Sequence, residues 1–242
     1  GKFVQMELFS LPGLSKNHAE AAPEQFSNTL DWALRLVFVL ASPAAVAMLV
    51  FAGPMTATIF GYGAFSERDV LMASYALMAY SWGLLAFSLV KVLAPGYFAR
   101  QDTKTPVRVA LIGLGVNMAI NVFVVLPAYW AGFPIPHVLL ATATCTGAAL
   151  NSFLLWRGLK RAGVYAPRAG WPALLLRVLA ANAAMAGLLL WLGGSLASWT
   201  AASPLERAAR LAGCIVAAAA LYFGALFLTG MRAHHVRSGV QV

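Results

Sequence analysis

Few side chains in this sequence could do chemistry, and most of them stand at the ends of long apolar runs. The 8 acidic residues are Glu7, Glu20, Glu24, Asp31, Glu67, Asp69, Asp102 and Glu206. None falls in the middle of an apolar run, so none is placed to relay a proton there. Asn117 and Asn121 stand four residues apart, hence on one face of a helix. Such a pair suits hydrogen bonding to a neighbouring helix or contact with a polar substrate or ion. Lys91 and Arg35 each lie near the end of an apolar run. Each can snorkel its charge to an interface or face a cavity and meet phosphate. Asn151, with Thr142, Thr144, Thr146 and Gly147, makes another run small and polar on part of its surface. Close helix packing is one role for that surface, and lining a cavity is a second role for Asn151. His18, His137, His234 and His235 lack zinc-ligand spacing with carboxylates or cysteines, so no metal is expected. No phosphate loop, serine-hydrolase elbow or zinc-protease motif occurs. No catalytic residue and no cofactor is expected: the clustered acids or histidines of an embedded enzyme do not occur.

The elements that must position these residues follow from composition. The chain has 242 residues, 61% hydrophobic and 10% charged, against roughly 45–50% and about 25% in soluble domains. That excludes a water-soluble globule, a disordered tail and a disulfide scaffold, and leaves an all-α integral membrane protein. Six apolar segments stand out, at about 30–52, 70–94, 107–130, 137–156, 172–192 and 208–229. Each is long enough to cross about 30 Å of hydrocarbon at 1.5 Å per residue. None alternates like a barrel strand, and helices are the remaining way to satisfy the backbone in lipid. Ser66 with Asp69 reads as a capping box, Pro95-Gly96 as a stop, and Thr105-Pro106 as a start. Ser203-Pro204-Leu205-Glu206 repeats the start signal, and Pro43 lies inside the first segment, where it removes a helical hydrogen bond. Cys145 and Cys214 fall in apolar runs and read as small packing residues. The chain opens on Gly1, and its first 24 residues carry charges and no long apolar run, so no signal peptide is expected.

The formal charge is +9, from 17 basic against 8 acidic residues. If the N-terminal segment is cytoplasmic, 14 basic residues fall on the cytoplasmic side and three (Arg68, Arg207 and Arg210) in the outer loops. This is the positive-inside pattern. The basic surplus therefore needs no nucleic acid, and both chain ends are expected in the cytoplasm.

One charged stretch is distinctive: Lys91-Val-Leu-Ala-Pro-Gly-Tyr-Phe-Ala-Arg-Gln-Asp-Thr-Lys-Thr-Pro106. It resembles the cytoplasmic loop of the MurJ (MviN) family of lipid II flippases, within the MOP exporter superfamily. Leu14-Ser-Lys16, Leu30-Asp-Trp-Ala-Leu-Arg35, Ile59-Phe-Gly-Tyr-Gly63 with Phe65, and Gly170-Trp171 with Leu174-Leu-Leu-Arg177 resemble other segments of that family, in order. The resemblance implies helices nine to fourteen of a fourteen-helix fold, without the N-terminal lobe and the first two helices of the C-lobe. Residues 1–29 would be a cytoplasmic segment with a truncated start, and 30–156 four C-lobe helices. Residues 157–171 would be a cytoplasmic loop, 172–231 two extra helices forming a groove for the lipid tail, and 232–242 a cytoplasmic tail.

The function so implied is movement of undecaprenyl-pyrophosphate-linked peptidoglycan precursor, lipid II, across the bacterial cytoplasmic membrane by alternating access. Its partners would be lipid II, membrane lipids and the missing N-terminal lobe. The family's pyrophosphate-binding arginines lie outside these helices and carry over to no residue here. Some family members bind sodium with a carboxylate where this chain has Asn121. Two other readings stay open: a MOP exporter of another polyprenyl-linked oligosaccharide or a drug, and a non-transporting remnant or scaffold. On the flippase reading, the chain alone is not expected to flip lipid II.

Overall fold

The structure, a computed structural model, describes residues 23–229. The predicted features around Leu14-Ser-Lys16, His18 and the 232–242 tail with His234-His235 lie outside the described residues. Every regular element within them is helical: α1 (Pro23–Val50), α2 (Ala52–Phe60), α3 (Glu67–Phe98), α4 (Lys104–Ile120), α5 (Leu126–Trp130), α6 (Pro136–Arg161), α7 (Trp171–Gly193), α8 (Leu196–Thr200) and α9 (Pro204–Leu228). A π-helical turn, Asn121–Val125, joins α4 to α5. Six stretches are long and apolar enough to cross a membrane: α1, α3, the continuous Lys104–Trp130, α6, α7 and α9. The chain is thus a multi-pass membrane protein with the six spans expected from hydropathy.

Local chemistry explains most helix ends. The Ser66 hydroxyl accepts from the Asp69 N–H, and the Asp69 carboxylate accepts from the Ser66 N–H at 2.9 Å, a complete capping box for α3. Ser203 accepts from the Glu206 N–H and starts α9. Two expected signals are corrected. Pro95-Gly96 does not stop α3, which runs on to Phe98 because the following turn is anchored by packing: Leu93 and Tyr97 are buried, and the Tyr97 hydroxyl donates to the Leu155 carbonyl at 2.8 Å. The chain reverses instead at Gln101, whose φ of 59° is left-handed. Thr105 does not cap α4. Asp102 does so, accepting from the Thr105 N–H at 3.0 Å, and hydrogen bonds from Thr105 hold its carboxyl below the ordinary range.

Two breaks were not foreseen. The first span ends at Val50 and the chain resumes as α2 one residue later. The signal was Pro54, whose ring displaces the carbonyl four residues back, that of Val50. The π turn precedes Pro127 in the same way, because Pro127 cannot donate to Phe123 and the ladder widens to Leu126 N–H donating to Asn121.

The helices pack around two buried clusters. Phe26, Leu30, Leu34, Leu93, Tyr97, Leu155, Leu159 and Tyr165 join α1, α3 and α6 at one end. Val39, Phe51, Leu174, Val178, Met185, Leu189, Trp199 and Tyr222 join α1 to α7 and α9. In hydrocarbon an apolar helix gains little by leaving lipid, so close packing and hydrogen bonds decide which faces meet. The Tyr222 hydroxyl donating to the Val39 carbonyl at 2.8 Å is one such bond. Cys145 and Cys214 are buried free thiols, as their apolar settings predicted.

Candidate functional site

The crossing of α4 and α6 is set by two glycines. A Cβ on Gly113 would stand 2.9 Å from the Gly147 carbonyl oxygen, and one on Gly147 would stand 2.7 Å from the Gly113 carbonyl oxygen. Only hydrogen at both positions lets the backbones touch. One turn along each helix sits an asparagine, and the two flank the crossing: Asn117 of α4 packs beside Gly147, and Asn151 of α6 beside Gly113. These two side chains line a cavity of about 320 Å³ with Lys91 and Phe87 of α3 and with Thr144. The fold therefore collects Lys91, Asn117 and Asn151, which are 26 and 34 residues apart in sequence.

The polar inventory of this cavity is incomplete. Asn121 donates its amide to the Asn117 Oδ1 at 3.1 Å, a bond within the span rather than between helices. The Asn121 Oδ1 and Asn151 Oδ1 are buried without a hydrogen-bond partner among the described residues. Thr142, Thr144 and Thr146 each donate to the carbonyl four residues back, so their hydroxyls are satisfied locally. The available groups are thus a lysine ammonium, which attracts anions, and amide groups, which hydrogen-bond polar hydroxyl or amide functions.

Arg35 is placed elsewhere. Its Nε donates to Asp31 at 2.7 Å, the one ion pair between described residues. Its Nη2 donates to the carbonyls of Arg168 and Ala169, and its guanidinium lies 5.3 Å from the Trp171 ring centroid. Asp31 is the centre of this junction. It is 1% exposed and accepts from Arg35, from the Tyr165 hydroxyl at 2.8 Å, from the Trp171 indole at 2.7 Å and from the Arg168 N–H at 3.3 Å. Burial and the bond to Asp31 both push the Tyr165 phenol up, so it remains a donor. The junction ties α1 to the 162–170 loop and to α7.

A second junction lies at the opposite end. Arg207 reads from sequence as an outer-loop charge, but it is 8% exposed. It donates to the carbonyls of Ala57, Gly61, Thr200 and Ala202 and holds no carboxylate. The exposed C-terminal carbonyls of α2 and α8 supply the compensating partial charge. Nothing in the local sequence distinguishes it from Arg210, which stacks over Trp199 at 4.3 Å. His137 bonds the Met72 carbonyl at 3.0 Å and thereby ties α6 to α3.

A family model described as Lipid II flippase MurJ matches residues 4–209. The chain belongs to the MurJ family. It is 42% identical to the lipid II flippase MurJ of Burkholderia cenocepacia over 97% of this chain and 44% of the relative. It is 41% identical to the probable lipid II flippase MurJ of Vibrio cholerae, over 96% of this chain and 43% of the relative. It is 38% identical to that of Haemophilus influenzae, over 93% and 44%. The chain thus spans less than half the length of these curated relatives. The MurJ match includes the asparagine cavity, the Asp31 junction and Arg207, and it ends within α9. The stretch from Lys91 to Pro106 carried the family resemblance, and the structure makes it a tight helix–turn–helix: only residues 99–103 lie outside helices.

Proposed function

We propose that the chain is the C-terminal part of a lipid II flippase of the bacterial inner membrane. It works with an N-terminal lobe to move undecaprenyl-pyrophosphate-linked peptidoglycan precursor by alternating access. The observation that carries this reading is the convergence of Lys91, Asn117 and Asn151 on one cavity, in a MurJ-family chain with two unpaired amide oxygens nearby. A charged, sugar-bearing headgroup is costly in hydrocarbon. A face with one cation and several amides offers it an anion contact and hydrogen bonds along the way. Asn121, bonded to Asn117, holds that residue's orientation, and the π turn beside it supplies a weak point in the span where α4 can bend.

Arg35 belongs in this reading to the junction rather than to the substrate path, given its bonds to Asp31 and the loop. The 14-to-3 distribution of basic residues supports a topology with both ends cytoplasmic. α7 and α9 form the surface for the lipid tail: Leu176, Leu179, Leu190 and Val216 point outward, while Asn182 turns inward to donate to Ser42 at 3.0 Å.

Complementation of flippase-depleted cells tests the proposal. A full-length protein ending in this chain is expected to restore growth, and the chain alone is not. Rescue by the chain alone, without a resident homologue, would refute the two-lobe reading. For topology, single cysteines at Lys104 and Gly132, both exposed, are expected to label from the cytoplasm and from outside, respectively.

A further inference from the structure

A second cavity, of about 400 Å³, lies between α1, α3, α6 and α7 at the end where the Asp31 junction sits. Its walls are almost wholly apolar: Leu34, Phe38, Leu89, Phe153, Trp156 and Leu175 are among them. Tyr165 and Trp171 also line it, and their polar atoms are already committed to Asp31. Ser152, the remaining hydroxyl in the wall, donates to the Ala149 carbonyl at 3.0 Å, so the cavity offers little to a polar ligand and suits a hydrocarbon chain.

Its rim has the opposite character. Two of its tryptophans each carry a cation on the ring face. The Lys160 Nζ lies 5.3 Å from the Trp156 centroid, and the Arg35 guanidinium lies 5.3 Å from that of Trp171. Arg157, Arg161 and Arg168 are exposed at the same end. Asp31 is already held by four donors, and Lys160 with the three arginines outnumbers the other carboxylates on this side, Glu24 and Asp102. An apolar slot under a cationic rim complements a lipid with one buried chain and an anionic phosphate headgroup.

We propose that this cavity holds one acyl chain of an anionic phospholipid from the leaflet on the Lys160–Arg168 side, with its phosphate at Lys160 and the neighbouring arginines. Size selects the occupant. At roughly 30 Å³ for a water-sized group, the space takes on the order of a dozen methylenes, which matches much of one acyl chain. An undecaprenyl tail is several times longer. The bound lipid would brace α7 against α1 and α6, so the site is independent of which substrate the flippase moves.

The test uses the protein in phosphatidylcholine vesicles containing phosphatidylglycerol with a photoactivatable acyl chain. Crosslinks are expected at Phe153, Trp156 and Leu175. Labelling should fall several-fold in Leu175→Trp, which fills the cavity from its edge. Unlabelled phosphatidylglycerol should compete better than phosphatidylcholine, and Lys160→Gln, at an exposed position, should reduce that preference several-fold. Labelling spread equally over the lipid-facing Phe123 and Leu228 would overturn the site. Equal competition by the two phospholipids in the unaltered protein would overturn the headgroup assignment. Stronger competition by undecaprenyl phosphate would overturn the choice of occupant.

Discussion

Asp31 and Asn151 are both polar side chains set among apolar helices, and they differ in how completely they are served. Both oxygens of Asp31 are served: Oδ2 by a guanidinium, and Oδ1 by a phenol, an indole and a backbone N–H. Asn151 keeps a buried Oδ1 with no partner, on the wall of a cavity it shares with Lys91 and Asn117. A satisfied buried charge is architecture: it holds α1, the 162–170 loop and α7 in one arrangement. An unsatisfied buried amide beside open space carries an energetic cost that the fold alone does not offset. Asn182 also keeps an unpartnered Oδ1 but lies away from this cavity, so an open acceptor together with open space is what marks a residue as available to a ligand.

The strongest way to break the comparison is to remove the served charge. Asp31→Ala leaves Arg35, Tyr165 and Trp171 without their acceptor, and it is expected to cost about 3–5 kcal/mol. Asp31→Asn keeps one accepting oxygen and should cost less. Unfolding of the purified protein in detergent micelles, by denaturant or heat, measures both. A cost no greater than that of the cavity asparagines would erase the distinction.

An intermediate effect is expected where the two helices of the cavity touch. Gly147→Ala places a methyl 2.7 Å from the Gly113 carbonyl oxygen and 3.2 Å from the Asn117 Cβ. The helices must part, at about 1–3 kcal/mol, and Lys91, Asn117 and Asn151 lose their common cavity. Gly115→Ala, on the same helix as Gly113 but facing open space, is the control and should leave stability unchanged. The readouts are unfolding in micelles and growth of cells carrying the full-length variant.

The smallest stability effect, with the sharpest functional one, is expected at Asn151→Ala. No described hydrogen bond is lost from its Oδ1, so stability should change by less than about 1 kcal/mol. Complementation by the full-length variant should nevertheless fall several-fold. A large loss of stability with normal growth would assign Asn151 to packing.

Much of the molecule was legible without coordinates because its signals are local. Six spans follow from hydropathy, since apolar runs of this length without strand alternation cross lipid as helices, and Ser66-Asp69 and Ser203 cap helices through residues three positions away. Pro54 and Pro127 also carried readable signals, for the break after Val50 and the π turn. The types and helix faces of Asn117, Asn121 and Asn151 could be read as well. Their partners could not, because satisfaction of a buried polar group depends on what another helix brings to it. Asp31 meets Tyr165 and Trp171 across more than 130 residues. Arg207, which reads as one more loop charge, is buried only because α2 and α8 end beside it and turn their carbonyls toward it. Arg35 and Lys91 looked alike in sequence, each a cation near a helix end. Packing gave one a carboxylate and the other a cavity. Composition and spacing thus determined the helices, while only tertiary structure decided which of their polar groups are spent on the fold and which remain free to bind.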